Sequence, residues 1–312
     1  MDEESRFSFL EIGRVRRRVV AAEEDTIAAA PRCVFRLAET IGSFGSELGQ
    51  FNTPAGLALD PDDNLYVADS RNHRVQKITP QGEVYGLGGP DSLVLPMGVA
   101  VDATRFIYVS EIGAHRLRKF GPKGQFVFSL GGSARSLARF SSPTAICLDT
   151  YHQLYIADTD NGRITSYTAI GHWRCDYHSA EPGGKFSRPQ GVAVDAMGRV
   201  YVADTMRHRV LRLTPEGKLD KVMGRPGPEF GELDEPRGLA LDLDGGLWVA
   251  DSGNDRVQKF DVEGNAVCCF PEHPSAQLDL SYPSAVAVDS KGGVYVSDSM
   301  NHRLLRLAQA GD

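Results

Sequence analysis

Cysteine is scarce in this 312-residue chain, and its five copies, Cys33, Cys147, Cys175, Cys268 and Cys269, are odd in number and lack framework spacing. That excludes a disulfide scaffold and fits reduced thiols. Cys268 and Cys269 are adjacent; on a strand they point to opposite faces, so they do not hold one ion together. No run of 18 apolar residues occurs, and the first thirty residues carry mixed charge without an apolar core. Neither a membrane span nor a secretory leader is therefore expected, and the chain reads as soluble and cytoplasmic. Positive charge is not in excess either. Lys and Arg number 34 against 41 Asp and Glu, a net charge of -7, which argues against a phosphate-tracking surface as the main business of the molecule. No G-x-S-x-G elbow, phosphate-binding loop, HExxH or CxxC pair is present. What remains is a chain with 41% hydrophobic and 24% charged residues, enough to bury a core. Its 33 glycines and 17 prolines call for many turns.

Those turns punctuate a repeat. PAGLALD from Pro54 recurs as PMGVAVD from Pro96, PTAICLD from Pro143, PQGVAVD from Pro189, PRGLALD from Pro236 and PSAVAVD from Pro283. Counting from each Pro, position +6 is Asp60, Asp102, Asp149, Asp195, Asp242 and Asp289, and position +12 is Tyr66, Tyr108, Tyr155, Tyr201, Trp248 and Tyr295. Position +15 is Asp69, Glu111, Asp158, Asp204, Asp251 and Asp298, and position +20 is Arg74, Arg116, Arg163, Arg209, Arg256 and Arg303. Each unit has three short β-branched or aromatic runs bounded by turn residues, then a weaker fourth such as GQFVFSLGG from Gly124.

Four short antiparallel strands per unit of about 45 residues predict an all-β, six-bladed β-propeller. The last unit stops after three strands at Leu307, and an orphan strand-like run, VFRLAETIGSFG, precedes the first repeat. This deficit and surplus predict a ring closed by the N-terminal strand pairing with the last three C-terminal strands, which removes exposed sheet edges. The propeller is assigned to residues 33–312 and a charged N-terminal extension to residues 1–32. With seven acids, six bases and the cluster RVRRR at 14–18, the extension reads as a solvated helix or docking tail, nuclear import or nucleic-acid contact being the alternative.

The runs YVADSRNHRVQKI, YVADTMRHRVLRL and YVSDSMNHRLLRL, each after P-x-G/A-[LV]-A-[LV]-D, resemble the NHL-repeat family of six-bladed propellers. Unit 2 departs most, with SEIGAHRLRKF around Glu111. Peptidyl-hydroxyglycine amidating lyases resemble this family and take zinc ligands from histidines directly after the repeated Pro. Here those positions are Ala55, Met97, Thr144, Gln190, Arg237 and Ser284. None is His, Cys, Asp or Glu, so the zinc site does not carry over; the same set argues against a lactonase-like cation centre. Neither a catalytic residue nor a metal or other cofactor is expected.

The +12 aromatics form the blade core, and the +6 Asp hydrogen-bonds turn amides. The pairs Asp69 with Arg74, Glu111 with Arg116, Asp158 with Arg163, Asp204 with Arg209, Asp251 with Arg256 and Asp298 with Arg303 are structural, with a possible second use as fixed rim charges. His73, His115, His208 and His302, all at +19, lie too far from the axis to share an ion. With Arg71, Arg188 and Arg207 they are assigned to upper-face loops. Met97, Thr144, Gln190, Arg237 and Ser284 form the channel mouth, where Gln190 and Arg237 suit an anion or a peptide carboxylate. His172, Cys175 and His178 sit on an outer strand and do not converge. The function expected is a non-enzymatic, monomeric scaffold that binds a protein or peptide through mouth and upper-face loops, without membrane contact. RNA binding, as in the NHL modules of tripartite-motif ubiquitin ligases, is the first alternative. Arg71, Arg116, Arg135, Arg139, Arg188, Arg207 and Arg237 would supply its positive charge. A metal-dependent lyase or lactonase-like hydrolase with unfamiliar ligands is the second.

Overall fold

The computed structural model describes residues 10–14, 17–19, 35–88, 92–132, 138–180, 183–271 and 279–309. The first repeat folds as strands Pro54–Leu59, Leu65–Asp69, Arg74–Ile78 and Glu83–Gly88, antiparallel and running from the axis outward. Repeats two to five each form a four-stranded sheet in the same order. The sixth blade takes Pro283–Val288, Val294–Asp298 and Arg303–Gln309 from the C-terminal end and Phe35–Ile41 from the N-terminal end. The closing pair is antiparallel from Leu304↔Ile41 to Gln309↔Phe35, with a one-residue register shift between Arg306 and Leu307. The six-bladed ring and its closure are thus as the repeat arithmetic requires.

The core lies between blades. Tyr66, Val75 and Leu87 of blade 1 pack against Val99, Ile107, Val109 and Phe120 of blade 2, and a corresponding cluster fills each of the other five seams. Each buried aliphatic or aromatic side chain contributes about 1.5–3 kcal/mol, so seams carry the stability. Tyr66, Tyr108, Tyr155, Tyr201 and Trp248 are buried as expected of the +12 position, and Tyr295 is half-buried. Their hydroxyls donate to the +6 carboxylates in blades 1 to 4, as from Tyr66 to Asp60 at 3.1 Å. The same Asp60 accepts the turn amides of Asp62 and Asn64 at 3.0 Å.

In the N-terminal extension, Leu10–Arg14 adds to the outermost strand of blade 1 and Arg17–Val19 adds to Phe35–Ile41 of blade 6. Over these residues the helix expected of the extension is replaced by edge strands, because the outer rims of both blades offer unpaired backbone groups. Cys33 and Arg135 lie outside the described residues, as do 133–137 and 272–278 of the loops before Pro143 and Pro283. No helix among the described residues is long and apolar enough to cross a membrane.

Candidate functional site: the channel mouth and its loops

Each innermost strand starts at the upper face, where its Pro is followed by one residue at the axis. These six residues, Ala55, Met97, Thr144, Gln190, Arg237 and Ser284, line one axial cavity of about 70 Å³. The structure therefore brings the expected mouth residues together. The wall below is small and apolar because the strands approach backbone to backbone: a Cβ on Gly56, Gly98 or Gly191 would collide with the carbonyl of Met97, Thr144 or Arg237 in the next blade.

Arg237 and Gln190 differ in how they are held. The Arg237 guanidinium lies 4.3 Å from the Tyr282 ring centroid, donates to the Tyr282 hydroxyl through Nη2, and stands 3.5 Å from Glu235 Oε2. Tyr282 in turn donates to Glu235 at 2.6 Å. That hydrogen bond is the main reason the Glu235 carboxyl is held below the usual carboxylate range, against a smaller opposing effect of burial and with help from Arg237. The Gln190 side chain is half-buried and has no hydrogen-bond partner among the described residues.

The six carboxylate–Arg pairs all form, at N···O distances from 2.6 Å for Asp298–Arg303 to 3.1 Å for Asp204–Arg209. Every one of the carboxylate side chains is fully buried. The second use proposed for them, fixed charges on an open rim, is therefore corrected: these acids face inward. Each accepts the backbone N–H two residues before the Pro of its own blade, as Asp69 does from Asn52 at 2.7 Å and Asp251 from Asp234 at 2.6 Å. Burial pushes the Asp69 and Asp251 carboxyls up, opposed first by those amides. The arginines are spent on the loops. Arg74 donates to the carbonyls of Ser46, Glu47 and Gln50, and Arg256 to those of Pro228, Glu229 and Glu232.

The +19 histidines have a role that spacing did not reveal. All four occupy left-handed backbone and accept a backbone N–H from the next blade at Nδ1. His73 accepts from Leu95 at 3.2 Å, His115 from Ser142 at 2.9 Å, His208 from Glu235 at 3.2 Å and His302 from Thr53 at 3.0 Å. Asp255 does the same for Tyr282 at 2.6 Å. These side chains are latches between blades. The His208 latch is contested, since Asp234 Oδ1 stands 2.8 Å from the same nitrogen. Gly162 cannot supply a latch, because a Cβ there would meet the Phe186 carbonyl at 2.8 Å. A second latch at +16, also missed, runs from Thr159, Thr205, Ser252 and Ser299 to the next blade's Pro carbonyl at 2.5–2.8 Å. Hydroxyl residues at +16 in five of six units were the available signal, with Ile112 the exception.

The remaining upper-face arginines are scattered. Arg71 is exposed. Arg188 stands 3.6 Å from Asp160 and Arg207 3.3 Å from Asp204, with a further bond to the Lys185 carbonyl. The same face exposes Phe44, Met206, Phe230 and Met300, at 65%, 46%, 56% and 57% of their surface. On the outer wall, Trp173–Tyr177 is a strand, so His172, Cys175 and His178 do not form a cluster. No group of three or more His, Cys, Asp or Glu side chains able to hold a metal ion occurs among the described residues.

The NHL repeat model matches residues 51–78, 186–213, 233–260 and 280–307, which are repeats one, four, five and six. Together with the six-bladed ring, these matches identify the chain as an NHL-repeat six-bladed β-propeller. No curated protein matches the sequence. Among solved structures, a streptogramin B lyase is 15% identical, with 88% of this chain and 98% of that one covered and a TM-score of 0.65. Virginiamycin B lyase from Staphylococcus aureus is 14% identical over 88% and 99%, with a TM-score of 0.64. A gluconolactonase from Xanthomonas campestris is 17% identical over 90% and 99%, also at 0.64. At these identities the likeness is one of fold.

Proposed function

We propose that this propeller is a non-enzymatic scaffold that binds a protein or peptide through the channel mouth and the upper-face loops. The observation that carries this reading is the make-up of that face. Phe44, Met206, Phe230 and Met300 are exposed there, whereas the six repeated arginines are committed to buried carboxylates and loop carbonyls. Exposed apolar side chains with a polar rim fit a protein partner. An RNA surface would instead need free cations to replace counterions; of the arginines that would serve it, Arg116, Arg188, Arg207 and Arg237 face carboxylates, which leaves Arg71 and Arg139 as exposed cations among the described residues. The lyase and lactonase neighbours supply a second reading, an enzyme working at the mouth. Against it stand the six mouth residues, none of which is His, Cys, Asp or Glu.

The test is affinity capture from native extract with wild type and two variants, Phe44→Ser with Met300→Ser, and Gln190→Ala with Arg237→Glu, each with and without nuclease. The scaffold reading expects a protein retained by wild type in the presence of nuclease and lost from either variant. Nuclease-sensitive recovery would move the reading to RNA, and turnover of a lactone or a streptogramin by wild type but not by the mouth variant would move it to catalysis.

A further inference from the structure

Arg237 is the sole charged residue among the six that follow the repeated prolines. Two of its neighbours hold it in place, the Tyr282 ring beneath the guanidinium and the Glu235 carboxylate at one edge. Its Nε is buried and has no acceptor. A charged donor left in that state is costly, and an acceptor supplied from outside the chain would remove the cost. One blade away stands Gln190, whose amide is equally unmatched among the described residues and which lines the same cavity. The wall between and below them is Val192, Gly238 and Leu239, an apolar lining that strengthens any ion pair formed against it. The strands leave no room there for a folded element, but a carboxylate-sized group, carried on a chain end or a small molecule, fits a cavity of about 70 Å³.

We propose that the mouth captures a free carboxylate, with Arg237 as its charged donor and Gln190 as its amide donor. A carboxylate matches a guanidinium fork as a neutral carbonyl does not, and capture of a chain's terminal carboxylate is an established mode of peptide recognition. Glu235 competes for the same guanidinium and so limits the affinity; Tyr282, which draws part of Glu235's charge through its hydroxyl, moderates that competition. This proposal rests on the reading of the mouth as a binding surface and specifies what enters it.

The experiment follows the Arg237 Nε–Hε resonance of the full chain by NMR, assigned by its absence from Arg237→Lys, during titration at constant ionic strength. The probes are acetate, tri-alanine and tri-alanine C-terminal amide. A saturable shift with acetate and with tri-alanine, and none with the amide, is expected. Tighter binding of tri-alanine than of acetate assigns the source as a peptide end, and the reverse order assigns it as a small carboxylate. Gln190→Ala should weaken binding about tenfold, the worth of one hydrogen bond to a charged group, and Glu235→Gln should tighten it. Equal binding of the amide, or no saturable shift with either acid, overturns the proposal. Because partner capture is scored separately with the Phe44 and Met300 variant, the carboxylate site can fail while the scaffold reading stands.

Discussion

Replacing His302 with alanine removes the acceptor of the Thr53 N–H at the seam where the ring closes. An amide stranded in this way costs about 1–3 kcal/mol, so His302→Ala should lower the melting temperature by several degrees in calorimetry. His302→Asp should cost less, because Asp255 already performs this task in left-handed backbone. Equal melting of all three proteins would refute the latch. Burial and pairing also separate the carboxyls in their titration. Asp69 and Asp251 are raised by burial, so they bind a proton more tightly in the fold than when unfolded. Their stabilising contribution is complete below about pH 3.9 and is lost as pH rises through their folded values. Glu235 is lowered, chiefly by the Tyr282 hydroxyl, so its contribution is present above about pH 4.3 and is lost as pH falls through its folded value. Carbon-13 carboxyl titration should therefore place Asp69 and Asp251 above the ordinary range and Glu235 below it. The sequence displayed the +15, +19 and +20 positions but only part of their chemistry. The Asp–Arg pair is contained in six residues of one unit, whereas the partner of each histidine is an anonymous backbone amide 22 or 27 residues further on, and for His302 at the other end of the chain.

At the scale of strands and loops, the glycine after the mouth residue sets how closely the innermost strands approach. Gly191→Ala would push a methyl group into the Arg237 carbonyl of the next blade. It should cost about 1–3 kcal/mol, as overpacking does, while Ala145 and Ala285 at the same position show that two of the six seams accept the methyl group. The loops 42–51 and 224–233 are near copies, each carrying an isolated bridge, Phe44↔Phe51 and Pro226↔Leu233. Each is tied down by a +20 arginine and by a glutamine two residues later, Gln76 or Gln258. Arg256→Lys keeps the charge and loses the fork; hydrogen exchange should quicken across 226–233 and stay unchanged across 44–51. Equal exchange in both loops would show that the fork is not what holds them. The repeated prolines placed the ends of these loops, but the donors that shape them were read only as salt-bridge partners.

At the scale of the whole molecule, the repeat count, strand order and closure were all legible, because six in-phase copies and an incomplete last unit leave one closed arrangement. Deleting residues 1–41 removes the strand that covers Leu304, Leu305 and Leu307, and should abolish cooperative melting; survival of a sharp transition would show that the ring does not depend on this closure. What the sequence could not convey is which face is spent and which is free. Only the fold shows that the +15 carboxylates are buried while Phe44, Met206, Phe230 and Met300 are exposed. In the proposed function this face receives a protein partner. Hydrogen exchange on the captured complex tests it most directly, with protection predicted at 44–53, 205–208, 228–237 and 299–302. Protection confined to the outermost strands, such as Trp173–Tyr177 and Leu219–Met223, would contradict the account.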